Sequence, residues 1–177
     1  GVGFEVVPKR NAEEAVLITK GSRWRYLDTG EPPDENWIGG EFDDADWLEG
    51  LAQLGYGEGD EATRIRFGDD PREKHVTTWF RKTITVGDVG RFDGLKLRLL
   101  SDDGALVFLN GREVVRFNLP EGEITAETTT LRSGDPDFLP YDINPDELRN
   151  GVNVIAVEVH QSRPNSSDVS FDLELIG

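Results

Sequence analysis

The sequence predicts an all-β protein whose strands form an antiparallel β-sandwich. Short apolar or alternating segments recur along the 177 residues, with glycine, proline, asparagine or aspartate between them. Several of these segments are rich in β-branched and aromatic residues, which favours strands over helices. Only one short segment carries helix-start and helix-stop signals, so Rossmann-type and βα-barrel folds are excluded. A closed β-barrel is the alternative architecture.

The strongest local signal is a β-hairpin within residues 101–116. The dipeptide Asn110-Gly111 separates two apolar runs, 105–109 and 113–117, and it tolerates the positive φ angles that a two-residue hairpin turn requires. The Asp-Asp-Gly segment at 102–104 directly precedes the first run and predicts a turn or bulge. The hairpin therefore places an acidic loop at one end of a sheet.

Eight further segments predict strands, because each alternates apolar with polar residues or is rich in Val, Ile, Thr and aromatic residues. They comprise residues 15–19, 24–27, 62–67, 77–86, 95–100, 124–131, 152–159 and 169–176. Residues 144–149 predict a helix of about one to two turns, with Asn144 as the N-cap, Pro145 at the first helical position and Gly151 just beyond the end.

The remaining segments define the domain organisation. Residues 1–14 lack a clear period and are predicted to be a lead-in or linker, while residues 15–177 are predicted to form a single sandwich domain. Residues 28–56 are rich in Gly, Pro and Asp and predict a long ordered loop whose aromatic residues pack onto the sandwich. Residues 133–140 predict a second loop.

The formal net charge of −16 restricts the possible partners. Twelve Asp or Glu residues and no Lys or Arg lie between Arg25 and Arg64. Such a surface repels phosphate, which argues against nucleic acid and anionic membranes as partners. No run of about 18 apolar residues predicts a membrane helix. The absence of cysteine excludes a disulfide framework and thiol chemistry. The acidity is typical of an exported or salt-tolerant protein and also allows a cation site.

Three carboxylates within four residues, Asp43, Asp44 and Asp46, are candidate ligands for Ca²⁺, which prefers oxygen donors. Their spacing is not that of an EF-hand loop, because the central glycine and the terminal glutamate are missing. The alternative interpretation is that Asp43 or Asp44 caps a turn while Trp47 fills the core.

Asp102 and Asp103 form a second acidic pair, and their carboxylates can accept hydrogen bonds from sugar hydroxyls. Glycoside hydrolysis needs two carboxyl groups that face each other about 5–9 Å apart. Adjacent residues of a strand point to opposite faces, so these two cannot form that pair by themselves. The alternative is a turn that begins the hairpin.

A polar segment follows the predicted strand at 152–159, and its first residues, His160 and Gln161, are candidate ligand-binding residues. Ser162 and Asp168 complete a nominal Ser-His-Asp set, but no G-x-S-x-G motif supports a catalytic triad. The alternative is that His160 hydrogen-bonds Asp168 and orders the loop. With His75 as the only other histidine and no cysteine, a zinc site has little support.

Aromatic residues in loops are candidates to stack on sugar rings, and Trp37 and Tyr56 are the best placed. Trp79 lies in the middle of a predicted strand and is expected in the core. Residues 55–60 superficially resemble a glycine-rich phosphate loop, but they lack its lysine and are followed by no helix. The acidic residues of this segment would repel phosphate, so it is predicted to be a flexible loop.

Seven segments in a fixed order resemble a known family: WRYLDTG, FDDADW, LGYGEGDEATRIRFG, TTWFRKTITV, SDDGALVFLNGREVVRFNLP, NGVNVIAVEVHQ and SSDVSFDLELIG. From Gly21 to Gly177 the chain resembles galactose-binding-like jelly-roll modules, which are accessory domains of secreted multidomain bacterial proteins. It is similar, more distantly, to the sugar-binding jelly-roll domain of family 2 glycoside hydrolases, where motifs like WFRKTITV, ALVFLNG and GVNVIAV recur in the same order.

The resemblance implies a jelly-roll fold more firmly than a function, because this sandwich hosts sugar binding, protein contacts and purely structural roles. It also implies a structural Ca²⁺ at the point where an early loop meets the last strand. That position would bring Asp43, Asp44 and Asp46 close to Ser167, Asp168 or Asp172.

The resulting hypothesis is a non-catalytic carbohydrate-binding accessory module of a secreted or cell-surface bacterial protein, stabilised by calcium. Its expected partners are a polysaccharide or glycan and the other domains of the parent protein. The alternative hypothesis is a structural or protein-interaction spacer without a sugar ligand. A hydrolase is disfavoured, because the spacing supplies no acid/base pair and no metal triad.

Overall fold

A computed structural model describes residues 14–134 and 137–177. The predicted lead-in therefore lies outside the described residues except for Glu14, and the predicted domain boundary stays a prediction. Within the described residues the chain forms twelve strands. Strands β1 to β12 are, in order, Val16–Ile18, Arg23–Leu27, Leu48–Leu51, Leu54–Tyr56, Thr63–Arg64, Thr77–Val86, Leu95–Asp102, Gly104–Leu109, Arg112–Phe117, Leu139–Ile143, Gly151–His160 and Val169–Ile176.

The strands form two sheets that pack as a sandwich, which confirms the predicted fold class. One sheet, sheet A, has the strand order β10-β7-β12-β4-β5, and β1 pairs with β12 beside β4. The other, sheet B, has the order β3-β2-β6-β11-β8-β9. Every pair is antiparallel except β4 with β5. Short 3₁₀ turns occupy Glu35–Ile38, Val89–Arg91 and Pro145–Glu147, and no helix in the described residues is long and apolar enough to cross a membrane.

Aromatic side chains join the two sheets at the centre of the core. Phe171 of β12 stacks on Phe80 of β6 with ring centroids 4.3 Å apart, and Trp24 of β2 meets Phe171 edge-on at 4.9 Å. All three side chains are fully buried. Strands β6 and β11 pair along their whole length, from Val86 opposite Gly151 to Thr77 opposite His160. This pair spans the whole length of sheet B, so Val86 and Gly151 lie at one end of the sandwich and Thr77 and His160 lie at the other.

The local patterns predicted the long strands well and the short ones poorly. Strands β6 and β12 have the predicted bounds, whereas only Thr63–Arg64 of the predicted strand at 62–67 is extended. The predicted loops contain β3, β4 and the start of β10. The prediction of a strand at 124–131 is wrong. That segment is irregular, because its backbone bonds to side chains and to other loops instead of to a neighbouring strand. The predicted helix is the 3₁₀ turn Pro145–Glu147, with Asn144 as its N-cap.

The long loop between β2 and β3 packs on the outer face of sheet B, as predicted. Its Trp37 and Trp47 form a second apolar cluster with Trp79 and Ala156. Arg81 of β6, only 3% exposed, holds this loop in place. Its guanidinium donates to the carboxylate of Asp44 at 2.9 Å and to main-chain carbonyls of the loop, namely those of Trp37, Gly39 and Phe42.

We predict that Arg81→Met lowers the free energy of unfolding by about 3 kcal/mol, because it leaves a carboxylate and several carbonyls without their donor. For a chain of this length the loss corresponds to a decrease in Tm of roughly 6–12 °C. Urea titration followed by tryptophan fluorescence measures it. Arg23→Met, an exposed arginine on the neighbouring strand, is the control and should stay within about 0.5 kcal/mol. Equal losses in both variants would contradict the assigned role of Arg81.

Candidate functional site

Between β7 and β8 the chain crosses from sheet A to sheet B, and a single residue, Asp103, makes this connection. Strand β7 ends at Asp102 opposite Ser170 in sheet A, and β8 begins at Gly104 opposite His160 in sheet B. The predicted turn at 102–104 is therefore a crossover between the two layers. Gly104 has no room for a side chain, because an added Cβ would lie 2.8 Å from the carbonyl oxygen of Phe117.

The side chain of Asp103 gathers the surrounding loops at this crossover. One carboxylate oxygen accepts a hydrogen bond from the amide of Ser162 at 2.7 Å, and the other accepts one from the amide of Gly134 at 3.3 Å. The carbonyl oxygen of Asp103 accepts from the side-chain amide of Asn118 at 3.1 Å. Three segments, which carry Asn118, Gly134 and Ser162, are thus tied to one buried residue.

An open cleft of about 310 Å³ lies between these segments. In the described part of the chain its lining is polar and contains no aromatic residue. The lining residues are Asp102, Asp103, Ser133, Gly134, Ser162, Arg163, Ser166, Ser167 and Asp168. Carboxylates, hydroxyls and a guanidinium therefore face the same space, and they offer both hydrogen-bond donors and acceptors.

Three carboxylates converge at one side of this cleft. Oxygen atoms of Glu58, Asp102 and Asp168 lie within 4.8 Å of one another. The pairing of β4 with β12, in which Tyr56 lies opposite Val169, brings Glu58 next to Asp168. Gly57, which connects Tyr56 to Glu58, has a φ of +95°, and a Cβ added to it would lie 2.4 Å from the carbonyl oxygen of Ser167. Only glycine permits this close approach.

The loop that carries Glu58 is held by its own side chains. The carboxylate of Glu61 accepts hydrogen bonds from the amides of Glu58 at 2.7 Å and Gly59 at 3.0 Å. The sequence predicts a flexible loop at 55–60, but Gly55 and Tyr56 belong to β4, and the residues after them form a closed turn that directs one carboxylate towards the cluster.

The cluster brings three carboxylates together, and the cation of the cleft lining, the guanidinium of Arg163, forms no ion pair with them in the described residues. None of its three carboxylates forms an ion pair with a lysine or arginine in the described part of the chain. Asp102 is only 2% exposed. Burial raises the pKa of Asp102 to about 9, with further contributions from a hydrogen bond to Asp103 and from the neighbouring carboxylates. A hydrogen bond to Asp168, followed by burial and nearby negative charges, raises the pKa of Glu58 to about 7.

These donors fit a hard divalent cation. Oxygen is the ligand that Ca²⁺ and Mg²⁺ prefer, and each of the three side chains of the cluster offers a carboxylate oxygen. Asp102 is buried and faces two other acids, so a bound cation would relieve both the desolvation of its charge and the mutual repulsion.

Two of the predicted sugar ligands lie beneath the cleft and are buried. The side-chain amide of Gln161 donates to the hydroxyl of Tyr56 and, at 3.1 Å, to the carbonyl of His75. Burial also raises the pKa of the Tyr56 hydroxyl. The side-chain oxygen of Gln161 is buried and has no hydrogen-bond partner among the described residues. These two side chains support the floor of the cleft.

His160 and Trp37 lie away from the cleft lining. His160 is fully buried, with Nδ1 2.7 Å from the carbonyl oxygen of Thr128 and Nε2 3.1 Å from a carboxylate oxygen of Glu158. The expected hydrogen bond from His160 to Asp168 is therefore wrong, because the histidine faces the irregular segment on sheet B. Trp37 is 7% exposed and stacks on Trp47 with centroids 6.5 Å apart.

The acidic loop at 43–46 has a different environment from Asp168. Asp43 accepts a hydrogen bond from the amide of Ala45 at 2.9 Å, as the turn-cap interpretation predicts. Asp44 binds Arg81 and lies 3.9 Å from Arg25. The structure brings Asp168 together with Glu58 and Asp102 instead of with Asp43, Asp44 and Asp46. Sequence reasoning missed Glu58. The signal that could have found it is the acidic run at residues 58–61, which directly follows β4, the strand that pairs with β12.

No family model and no curated protein sequence matches the chain. Bacteroides uniformis β-glucuronidase matches in structure with a TM-score of 0.62 at 17% identity, covering 93% of this chain and 18% of that chain. A calcium-binding mutant of Bacteroides uniformis β-glucuronidase 2 matches with a TM-score of 0.59 at 19% identity, covering 93% and 18%. A family 2 glycosyl hydrolase from Bacteroides cellulosilyticus matches with a TM-score of 0.55 at 18% identity, covering 90% and 20%.

This chain is similar in fold to one domain of family 2 glycoside hydrolases. The resemblance noted in the sequence is thereby confirmed at the level of the fold. The chain spans about one fifth of the length of these enzymes, and identities below a fifth carry no information on their activity.

We predict that the metal-free protein loses stability as the pH rises. The pKa of Asp102 is higher in the folded chain, at about 9, than in an unfolded chain, so the folded state binds more protons between these two values. Stability is therefore highest below the unfolded pKa and falls as the pH rises towards about 9. Tm measured in EDTA at a series of pH values should decrease more steeply for the wild type than for Asp102→Asn. Asp142→Asn, at an exposed site, is the control, and parallel curves for wild type and Asp102→Asn would contradict the prediction.

Proposed function

We propose that this domain is a non-catalytic carbohydrate-binding accessory module of a secreted or cell-surface bacterial protein, stabilised by a calcium ion. The observation that carries the proposal is the polar cleft at the sheet crossover, which lies directly beside three convergent carboxylates. The similarity in fold to domains of glycan-degrading enzymes supports a role connected with glycans.

Glu58, Asp102 and Asp168 would hold the cation. Each contributes a carboxylate, and together they join the loop after β4, the crossover and the start of β12. A cation bound only in the folded state would stabilise these three segments against separation. One similar structure is a calcium-binding mutant of β-glucuronidase 2, an enzyme of which this chain matches 18%.

The glycan would be recognised through hydroxyl groups and not through an aromatic platform. Arg163 and the serines of the cleft can donate to sugar oxygens, while Asp168 and carbonyl groups accept from sugar hydroxyls. A single polar site of this kind binds weakly. Its contribution would be to raise the effective concentration of an attached domain near a polymer.

A non-catalytic role is supported by the position of the acids. Asp102 has a raised pKa but is only 2% exposed, whereas a glycosidase acid must reach the scissile oxygen across an open cleft. The chain also spans only about one fifth of the enzymes that it resembles.

A structural spacer or docking module is the second candidate. All four tryptophans are buried, so the aromatic surface that many sugar sites use is missing from the cleft. In this case the cation would serve the stability of the domain alone, and the partners would be neighbouring domains of the parent protein.

We predict that calcium raises Tm through the cluster at the cleft. Calcium at a hundred times its Kd adds about 2.7 kcal/mol, or several degrees, relative to excess EDTA. The double variant Asp102→Asn, Asp168→Asn should lose this shift, whereas Asp43→Asn, Asp46→Asn should retain it. Differential scanning calorimetry with CaCl₂ or EDTA measures both. Loss of the shift only in the second double variant would place the ion in the loop at 43–46, and no shift in the wild type would remove the cation from the proposal.

We predict that at least one polysaccharide retards the protein in affinity gel electrophoresis. Arg163→Ala should abolish the retardation, because it removes the guanidinium of the cleft. Arg91→Ala is the control, since Arg91 is exposed and near Asn150, at the opposite end of the sandwich. Retardation that survives Arg163→Ala would exclude the cleft. A protein that ignores every polysaccharide would favour the spacer.

A further inference from the structure

One wall of the cleft is the irregular loop between β11 and β12. This loop supplies Ser162, Arg163, Ser166, Ser167 and Asp168 to the lining. It has no regular secondary structure, so its shape depends on a few specific contacts. The amide of Ser162 is fixed by Asp103 at the first end of the loop, and Val169 is fixed by its pairing with Tyr56 at the other end.

Lys74, in the loop between β5 and β6, holds the middle of this wall at two points. Its amide donates to the carbonyl oxygen of Pro164 at 2.8 Å. Its ammonium donates to the carbonyl oxygen of Ser166 at 2.6 Å. The same ammonium lies over the rings of Tyr56 and Phe67, at 5.5 Å and 5.1 Å from their centroids. The two rings also pack against each other, 5.1 Å apart and edge-on.

We propose that Lys74 is the positioning residue of the cleft and sets the location of Asp168. Asp168 lies between two fixed points, the carbonyl of Ser166 held by Lys74 and the backbone of Val169 held by β4. Removing the first point frees the loop upstream of Asp168 while β12 stays in place. This inference rests on the proposed function, because it assigns Lys74 a role in the cation and glycan site.

The charge of Lys74 acts through a hydrogen bond and not through an ion pair. Lys74 forms no salt bridge with a carboxylate in the described residues. The aromatic faces favour a cation at this position, and its N–H groups are directed to a main-chain oxygen of the loop. Arginine can reproduce both contacts, whereas methionine preserves the apolar stem and loses the donor.

The chain contains a closely matched control. Lys82 of β6 also donates its ammonium to a main-chain carbonyl, that of Arg23 at 2.8 Å, and also lies over an aromatic ring, that of Trp24 at 6.0 Å. It pairs with Ile155 in the interior of sheet B and does not line the cleft. Lys82→Met therefore removes the same chemistry at a site without a ligand role.

The first test is titration with Tb³⁺, a luminescent substitute for Ca²⁺ excited through nearby aromatic residues. Lys74→Met should weaken Tb³⁺ binding by about tenfold or more, as expected for a residue that orients a ligand. Lys74→Arg should restore the affinity to within about threefold. Lys82→Met should bind like the wild type even if its Tm falls. Unchanged affinity in Lys74→Met, or an equal loss in Lys82→Met, would overturn the proposal.

The second test is hydrogen exchange of the peptide that covers residues 162–168 in metal-free protein. Exchange in Lys74→Met should be at least about fivefold faster than in the wild type, with no change in Lys82→Met. Equal exchange rates would overturn the proposal whether or not metal binds. If the wild type fails to bind Tb³⁺, the cation site of the proposed function is wrong, and the exchange result still decides the role of Lys74. If Lys74→Met does not fold, Lys74→Gln replaces it in both tests.

Discussion

The hydrogen bonds accepted by the carboxylate of Asp103 are the interaction on which the end of the sandwich depends. The chain passes from one sheet to the other at this residue, so loops from both layers meet there. Amides of Ser162 and Gly134 donate to its two oxygens, and hydrogen bonds to a charged acceptor are stronger than neutral ones. The carboxylate of Asp103 is itself buried, and a buried acceptor without donors is unfavourable, so its position depends on the amides of both loops. The two walls of the cleft are therefore fixed to a common floor before any ligand binds.

The acidic residues of the chain occupy two kinds of environment, and this difference separates structure from candidate function. Asp44 is balanced by Arg81 and attaches a tryptophan-bearing loop to the outside of sheet B. Glu58, Asp102 and Asp168 have no such partner among the described residues and face one another beside a polar cleft. Burial raises the pKa of Asp102 in this second arrangement, with further contributions from a hydrogen bond to Asp103 and from the neighbouring carboxylates. The net charge of the chain therefore does not indicate which carboxylates are structural and which could bind a ligand. That distinction requires knowing whether each carboxylate is paired with a lysine or arginine.

Predictions from the sequence were accurate where the pattern was long. The strands at 77–86 and 169–176 have the predicted bounds, because runs of that length fix both their period and their ends. Strand β4, of three residues with a central glycine, shows no alternation and was missed. The threonine-rich run at 124–131 has strand propensity, but no neighbouring strand pairs with it. Propensity reflects a pleated, half-buried setting, and only the fold supplies one.

The sequence by itself determined the fold class, the hairpin at Asn110-Gly111 and the acidic character of the crossover, because these depend on residues close together in the chain. Only the tertiary structure decided which carboxylates meet. Asp168 joins Glu58 through the pairing of β4 with β12, and Asp102 joins them where the chain changes sheets. The pairing of two strands more than a hundred residues apart cannot be read from the local sequence of either strand. Several loops of this chain are equally acidic, so composition alone does not show which of their carboxylates meet. The physical reason is that register and sheet order are set by burial of the whole core.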